Sequence, residues 1–425
     1  MNSKASTRIG DQRTRSSEKG IGYFDGQLDE LEVSHLDWNL LREDLSLPSA
    51  VLCEDRLRHN LEWMQQFVNA YGVKLAPHGK TTMAPKLFEM QLKGGAWGIT
   101  LATAPQTEVA YQHGVRRVLM ANQLIGKANM AIISRLLEDT AFEYYCLVDS
   151  VAQIDLLGAF YAARGQRLDV LLELGVEGGR TGVRDEKQLN AALAALDRWK
   201  NSLALSGIEI YEAVLDDESL IRAFLDRAVA VTRKLANARR FRREPVLLSG
   251  AGSAWYDVVA DVFKSAALED AVEVVLRPGC YLTHDAAMYR EAQMKVMRRN
   301  SIAHQMQAGL LPALQIWAYV QSIPEPETAI VAMGKRDASF DAGLPIAAQQ
   351  YRPGDTAPKL TPSHWLLTRM MDQHAFLKIG QNDDLQVGDM VAFDISHPCL
   401  TFDKWRALLV LDAQYKAVDV IRTYF

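Results

Sequence analysis

Lys80 lies in Leu75-Ala76-Pro77-His78-Gly79-Lys80-Thr81, after a short apolar run that reads as a strand (Val73 to Ala76) and before a helical run (Met83 to Leu92). That spacing puts an amine at the carboxyl end of a strand, the rim on which βα barrels do their chemistry. A lysine amine in a partly desolvated pocket is the side chain that forms a Schiff base with a carbonyl cofactor or substrate. A surface lysine flanking a helix is the simpler account of an isolated P-H-x-K, so only the other motifs can reverse it.

Ser249-Gly250-Ala251-Gly252-Ser253 falls between a strand (246–248) and a helix (254–264). Small residues there let backbone N–H groups approach an anion at a helix N-terminus. A tight turn with no ligand is the alternative. Arg277-Pro278-Gly279-Cys280-Tyr281 follows the next strand and faces the same rim, where late barrel strands bind phosphate. In Glu177-Gly178-Gly179-Arg180-Thr181-Gly182 the glycines allow the Arg180 guanidinium to turn into the barrel mouth, and Tyr211 ends the strand 207–211. Each taken singly also reads as a surface ion pair or a wet-ended core tyrosine. His397-Pro398-Cys399 ends a β-like run (390–396), and extended backbone puts residues 397 and 399 on one face. Imidazole and thiolate are good zinc ligands, but two of them do not close a structural site, and an ordinary buried His and Cys is the alternative. Bound metal with open positions would imply catalysis.

The elements that must position these residues alternate. From residue 49 to 283 the runs SAVLC, VKLA, WGITLA, RVLMAN, YYCLVD, DVLLEL, SGIEIY, VLLSG and VEVVLRPG are separated by amphipathic helical runs, the pattern of parallel βα units. In the first such run Leu57, Leu61, Met64, Val68 and Tyr71 keep the spacing of a helix face laid on a sheet. Nine strands are one too many for an eight-stranded barrel, so the first or the last belongs elsewhere. A doubly wound open sheet is the other arrangement. After residue 290 the chain turns β-branched and alternating, with one helical interval near 363–371, and reads as a mainly β domain joined by strands from the N-terminal segment. The expected organisation is a disordered tail (1–30), a (β/α)8 TIM-like barrel (31–285) and a C-terminal β domain (286–425) that carries His397 and Cys399.

The 47 basic and 52 acidic residues leave a net charge of −5 without a basic stripe, which argues against nucleic acid as a partner and for a small molecule. Cys53, Cys146, Cys280 and Cys399 are scattered, as in a reducing compartment. With no apolar stretch of membrane length, the expected location is cytoplasmic.

In order along the chain, PSAVLCEDRLRHNL, APHGKT, GITLATAPQTEVA, ELGVEGGRTGV, GIEIYE, LLSGAGS, LRPGCY, GKRDASFDAGLP, DQHAFL and SHPCLTFDKW resemble the metal-dependent D-serine dehydratases (deaminases) and D-threonine aldolases, which are alanine-racemase-like, fold-type III pyridoxal phosphate enzymes. The resemblance spans roughly residues 46–425. It implies pyridoxal 5'-phosphate on Lys80, with Gly252, Ser253, Gly279, Cys280 and Tyr281 about the phosphate and Arg180 and Tyr211 about the ring and its 3-oxygen. It also implies Zn2+ on His397 and Cys399. His-x-Cys is similar to the dehydratases, whereas the aldolases typically show His-x-Asp. Ala76, Gly79, Ala251 and the stretch Asp372-Gln373-His374-Ala375 depart from the family pattern and bear on the substrate more than on the cofactor. The implied reaction is Cα deprotonation by Lys80 and loss of the β-hydroxyl on the metal, which turns D-serine into pyruvate and ammonia. The rivals are a D-threonine or D-3-hydroxy amino acid aldolase, a 3-hydroxyaspartate dehydratase, a cofactor carrier without catalysis, and a zinc-dependent β protein fused to an inert barrel. The resemblance further implies a homodimer with active sites shared between subunits.

Overall fold

The computed structural model describes residues 14–15, 18–24, 27–28, 30–268 and 271–425. Eight parallel strands form one sheet: Lys74–Leu75, Ile99–Leu101, Arg117–Gln123, Glu143–Val148, Leu168–Leu174, Leu203–Ile210, Val246–Gly250 and Val272–Leu276. The sheet closes where the Trp97 N–H donates to Leu75 O (2.7 Å) and the Thr100 N–H to Pro77 O (2.8 Å). The result is a (β/α)8 barrel. Period-two alternation sorts the strand residues. Leu119, Tyr145, Leu147, Leu171, Leu247 and Val275 form one apolar cluster, while Val118, Met120, Tyr144, Cys146 and Val148 join the larger core together with residues of the surrounding helices.

The first of those helices, Glu54–Tyr71, buries Leu57, Trp63, Met64, Phe67 and Val68, so its inner face leans toward the two aromatics and leaves Leu61 and Tyr71 only partly covered. No helix among the described residues is long and apolar enough to cross a membrane.

The surplus ninth strand is the first. Ser49–Cys53 pairs antiparallel with Leu314–Glu325 and parallel with Ala407–Leu411, inside the second, mainly antiparallel sheet. Four of its five residues are buried, which suits a central strand of that sheet. The boundary expected at residue 31 therefore moves, since Val33, Trp38, Leu40, Leu45 and Val51 share a core with Trp317, Leu409 and Val420. Much of the expected tail lies outside the described residues. Residues 18–24, however, are docked: Ile21 is buried, Ser49 Oγ donates to Gly20 O (2.9 Å), and the Lys19 amine stands 3.7 Å over the Trp405 ring while pairing with Asp337 at 3.0 Å.

The helical interval expected near 363–371 is instead a strand, Leu366–Met370, paired with Ala375–Lys378. The hairpin partner overrides the local helical bias of the segment. Helices Met288–Arg299 and Ser301–Gln305, which the sequence reading did not anticipate, connect the barrel to the β domain.

Candidate active site

The chain leaves the strand Lys74–Leu75 through Ala76 and Pro77 and tightens into a 3-10 turn, Gly79–Thr81, which carries Lys80 exposed at the rim. Thr81 is buried, and its Oγ1 lies 3.5 Å from Cys399 Sγ. The His78 Nδ1 atom is buried and has no hydrogen-bond partner. Burial holds the His78 imidazole well below its ordinary pKa, helped by the positive charges of Lys80, Arg277 and Arg180, so it stays neutral.

Across the mouth, the N–H groups of Gly279 (3.2 Å) and Cys280 (3.1 Å) both donate to Ser253 Oγ, just ahead of the helix Tyr256–Ser265. Gly279 has to be glycine: a Cβ there would meet Thr81 Oγ1 at 2.6 Å and His78 Cβ at 2.7 Å. Ala251 sits in the left-handed region (φ +79°), where an L side chain is strained. That conformation is held by the buried Glu212 carboxylate, which accepts from the Ala251 (3.1 Å) and Gly252 (2.6 Å) N–H groups. Gly252 therefore spends its N–H on Glu212.

Arg180 rises from a glycine loop and lies 4.3 Å over the Tyr211 ring. Gly182 (φ +90°) closes that loop, since a Cβ would strike Gly175 N and Leu174 C at 2.6 Å, and its N–H donates to Asp149 Oδ2 (3.0 Å). Deeper in the barrel, Arg277 is buried against Glu209, with its Nε donating to Ser249 Oγ (3.0 Å). The second Glu209 oxygen has no partner, and burial pushes this carboxyl up to about 8 against the pull of Arg277.

From the β domain come His397 and Cys399. Two charge relations hold them: His397 Nδ1 is 2.7 Å from Asp341 Oδ2, and Cys399 Sγ is 3.8 Å from Cys280 Sγ. Hydrogen bonding to Cys280, aided by His397 and Thr81, brings Cys399 down to about 4, while the same Cys399 contact and burial push Cys280 well up. His397 rises to about 9 through its contacts with Cys399 and Asp341.

The mouth gathers Lys80, Arg180, Tyr211, Ser253, Gly279, Cys280, His397 and Cys399, and all of them belong to one chain. The turn at Lys80 packs on the short helix Cys399–Phe402, so Lys80 and the His397–Cys399 pair of one chain meet at one mouth. The expectation for Tyr281 is corrected. The turn through residues 280–283 sends it away from the phosphate loop into the core, where its hydroxyl accepts from Gln91 Nε2 (3.2 Å). Sequence reasoning missed Glu209, Glu212 and Asp341 as site residues and named Arg277 only as part of the motif at 277–281. Glu209 had a legible signal, an acidic residue alternating with Ile208 and Ile210 in a barrel strand.

The alanine racemase N-terminal domain model matches residues 52–283, more than half of the chain. The chain belongs to the alanine-racemase-like, fold-type III family of pyridoxal phosphate enzymes. A serine dehydratase domain model matches residues 313–411 of the β domain. Among curated relatives, the D-threo-3-hydroxyaspartate dehydratase of Delftia sp. is 29% identical over 252 residues, covering 57% of this chain and 63% of that protein. The D-threonine aldolase of Arthrobacter sp. is 24% identical over 374 residues, 86% of this chain and 88% of its own length. The crystal structure of D-threonine aldolase from Filomicrobium marinum superposes with a TM-score of 0.74 at 21% identity, covering 91% of this chain and 97% of that one.

The mouth fits the family cofactor. Two backbone N–H groups and a hydroxyl converge beside a helix N-terminus, a donor set for a phosphate, and the glycine at 279 lets this cup pack directly on the turn that carries Lys80. The unpartnered buried His78 Nδ1 faces the same turn as Lys80. For a metal, the donor chemistry fits zinc: a thiolate, and an imidazole whose Nδ1 is oriented by a carboxylate so that Nε2 is left to coordinate.

Proposed function

We propose that this protein is a pyridoxal phosphate- and zinc-dependent lyase of D-3-hydroxy amino acids that expels the β-hydroxyl as water, giving a 2-oxo acid and ammonia. The observation that carries the reading is the meeting of Lys80's turn with Cys399 at one mouth, with Thr81 Oγ1 3.5 Å from the thiol sulfur. The relatives reported above are named for threo-3-hydroxyaspartate and for threonine. The proposed substrate class is accordingly the 3-hydroxylated D-amino acids, with D-3-hydroxyaspartate first and D-serine as the narrower alternative.

When bound at Lys80, pyridoxal phosphate supplies an electron sink that acidifies Cα–H. Ser253 Oγ and the Gly279 and Cys280 N–H groups, now bonded to one another, would hold its phosphate, and Arg180 beside Tyr211 would supply a cation to it. The Lys80 amine is the group placed to take the Cα proton. Neutral His78 beneath the turn adds no positive charge of its own there. Zinc on His397 and Cys399 would supply Lewis acidity to a β-hydroxyl that is otherwise a poor leaving group. Cys399, standing where an aldolase usually has a carboxylate, favours the softer ion and therefore elimination over carbon–carbon cleavage.

Product analysis tests this. Incubated with D-3-hydroxyaspartate, D-serine and D-threonine in turn, the protein should release 2-oxo acid and ammonia in equal amounts. Glycine and an aldehyde as the dominant products would replace this reading with the aldolase.

Pairing of two chains is part of the proposal, with Lys80 and the metal pair of each mouth drawn from the same chain, as the contact of Thr81 with Cys399 supports. Mixing Lys80→Ala with His397→Ala chains should then restore no activity, and recovery would show that the sites cross between subunits.

A further inference from the structure

We propose that Cys280 is a third protein ligand of the metal held by His397 and Cys399. The inference rests on the metal part of the function proposed above and adds a residue to it. Its first support is a distance. Two thiolates bound at about 2.3 Å to a tetrahedral zinc stand about 3.8 Å apart. The sulfurs of Cys280 and Cys399 are 3.8 Å apart. A disulfide would need them far closer, and the pair brings a barrel thiol within hydrogen-bonding reach of a β-domain thiol at a spacing that one tetrahedral ion also spans.

The second support is the division of labour within Cys280. Its backbone N–H serves the phosphate cup through Ser253, while its side chain, 3% exposed, points the other way to Cys399. The thiol is thus free of the cofactor and faces the β domain.

The third is the count. With His397 and Cys399 alone a zinc would have two protein ligands, whereas catalytic zinc sites usually have three and keep the fourth position for substrate or water. One His and two Cys is such a set. It draws one ligand from the barrel and two from the β domain, which would tie metal occupancy to the packing of the two domains. Among the described residues no three such side chains already converge on a point, so a metal would have to draw the His397 ring and the two sulfurs together. Metal entry breaks the Cys280 S–H bond, sends that proton to solvent and forms two metal–sulfur bonds, with nothing oxidised or reduced. Two thiolates also bias the site further toward zinc over manganese or magnesium.

X-ray absorption at the zinc edge of the wild-type protein tests the claim without a variant. It should show two sulfur neighbours at about 2.3 Å, and a single sulfur would overturn it. Cobalt substitution supplies a second readout. Cys280→Ser should lose about half of the thiolate-to-cobalt absorbance, as Cys399→Ser does, in proportion to the thiolates removed. Its zinc affinity should fall by at least about tenfold, the lower end of what losing even an outer partner costs. An unchanged band and affinity in Cys280→Ser would refute it. A wild-type protein that takes up no metal would sink this ligand and the metal part of the proposed function together, whereas two bound sulfurs without lyase activity would keep the ligand and sink only the reaction.

Discussion

The two ends of the barrel both carry charge, and they treat it differently. At the amino-terminal end Arg243 bridges Asp169 Oδ2 (2.8 Å) and Glu143 Oε2 (2.7 Å), Arg117 takes Glu143 Oε1 (2.7 Å), and Ser206 takes Asp169 Oδ1 (2.6 Å). Every oxygen of those two carboxylates has a partner, and although burial works against it, Arg117 and Arg243 hold the Glu143 carboxyl below its ordinary range. At the carboxyl-terminal end His78 Nδ1, one Glu209 oxygen and Asp285 Oδ2 are buried with no partner. An unsatisfied buried polar atom costs about 1–3 kcal/mol. Apart from Arg117 Nε, which is also buried without a partner, the amino-terminal end uses its charge to close the barrel, and the carboxyl-terminal end keeps more of its polar groups unspent.

Substitutions can break that contrast. The largest effect is expected at the mouth: Lys80→Ala should lower turnover by about 10³-fold or more, the size of a general base's contribution, and leave thermal stability nearly unchanged. Gly279→Ala forces a Cβ to within 2.6 Å of Thr81 Oγ1. Overpacking of this kind costs about 1–3 kcal/mol, so pyridoxal phosphate should bind roughly ten- to a hundredfold more weakly by fluorescence titration.

Glu209→Gln probes the unspent carboxyl through pH. The folded-state value near 8 lies above the ordinary 4.5, so the folded protein keeps a proton that the unfolded chain has released. That stabilisation is fully present below about 4.5 and is lost as pH rises toward 8. Thermal unfolding of the wild type should therefore lose stability relative to Glu209→Gln across that window. Parallel pH profiles would show that Glu209 is ionised beside Arg277 throughout. The smallest effect belongs to the closed end, where Arg243→Ala should cost roughly 1 kcal/mol of stability and leave kcat/KM as it was.

Much of this architecture was legible because it follows from local patterns. The βα alternation predicted the barrel, the strand-to-helix transition put Lys80 on its rim, and the small residues at 249–253 and 277–281 marked one mouth. What escaped reading depends on partners far away in the chain. Ser49–Cys53 looks like any barrel strand until Leu314–Glu325 and Ala407–Leu411 claim it. Leu366–Met370 is a strand only because Ala375–Lys378 folds back on it. Tyr281 was placed with its neighbours by motif order, but a turn separates the side chains of residues 280 and 281. Glu212 escaped for the opposite reason: a carboxylate that holds a strained Ala251 leaves no trace in spacing.

The account turns on Lys80 as the residue that takes the cofactor at the unspent end of the barrel. Borohydride reduction of the protein loaded with pyridoxal phosphate, followed by peptide mass mapping, measures this directly. The label should fall on the peptide containing Lys80 and vanish in Lys80→Ala. A label on any other lysine, or an undiminished label in the variant, would contradict it.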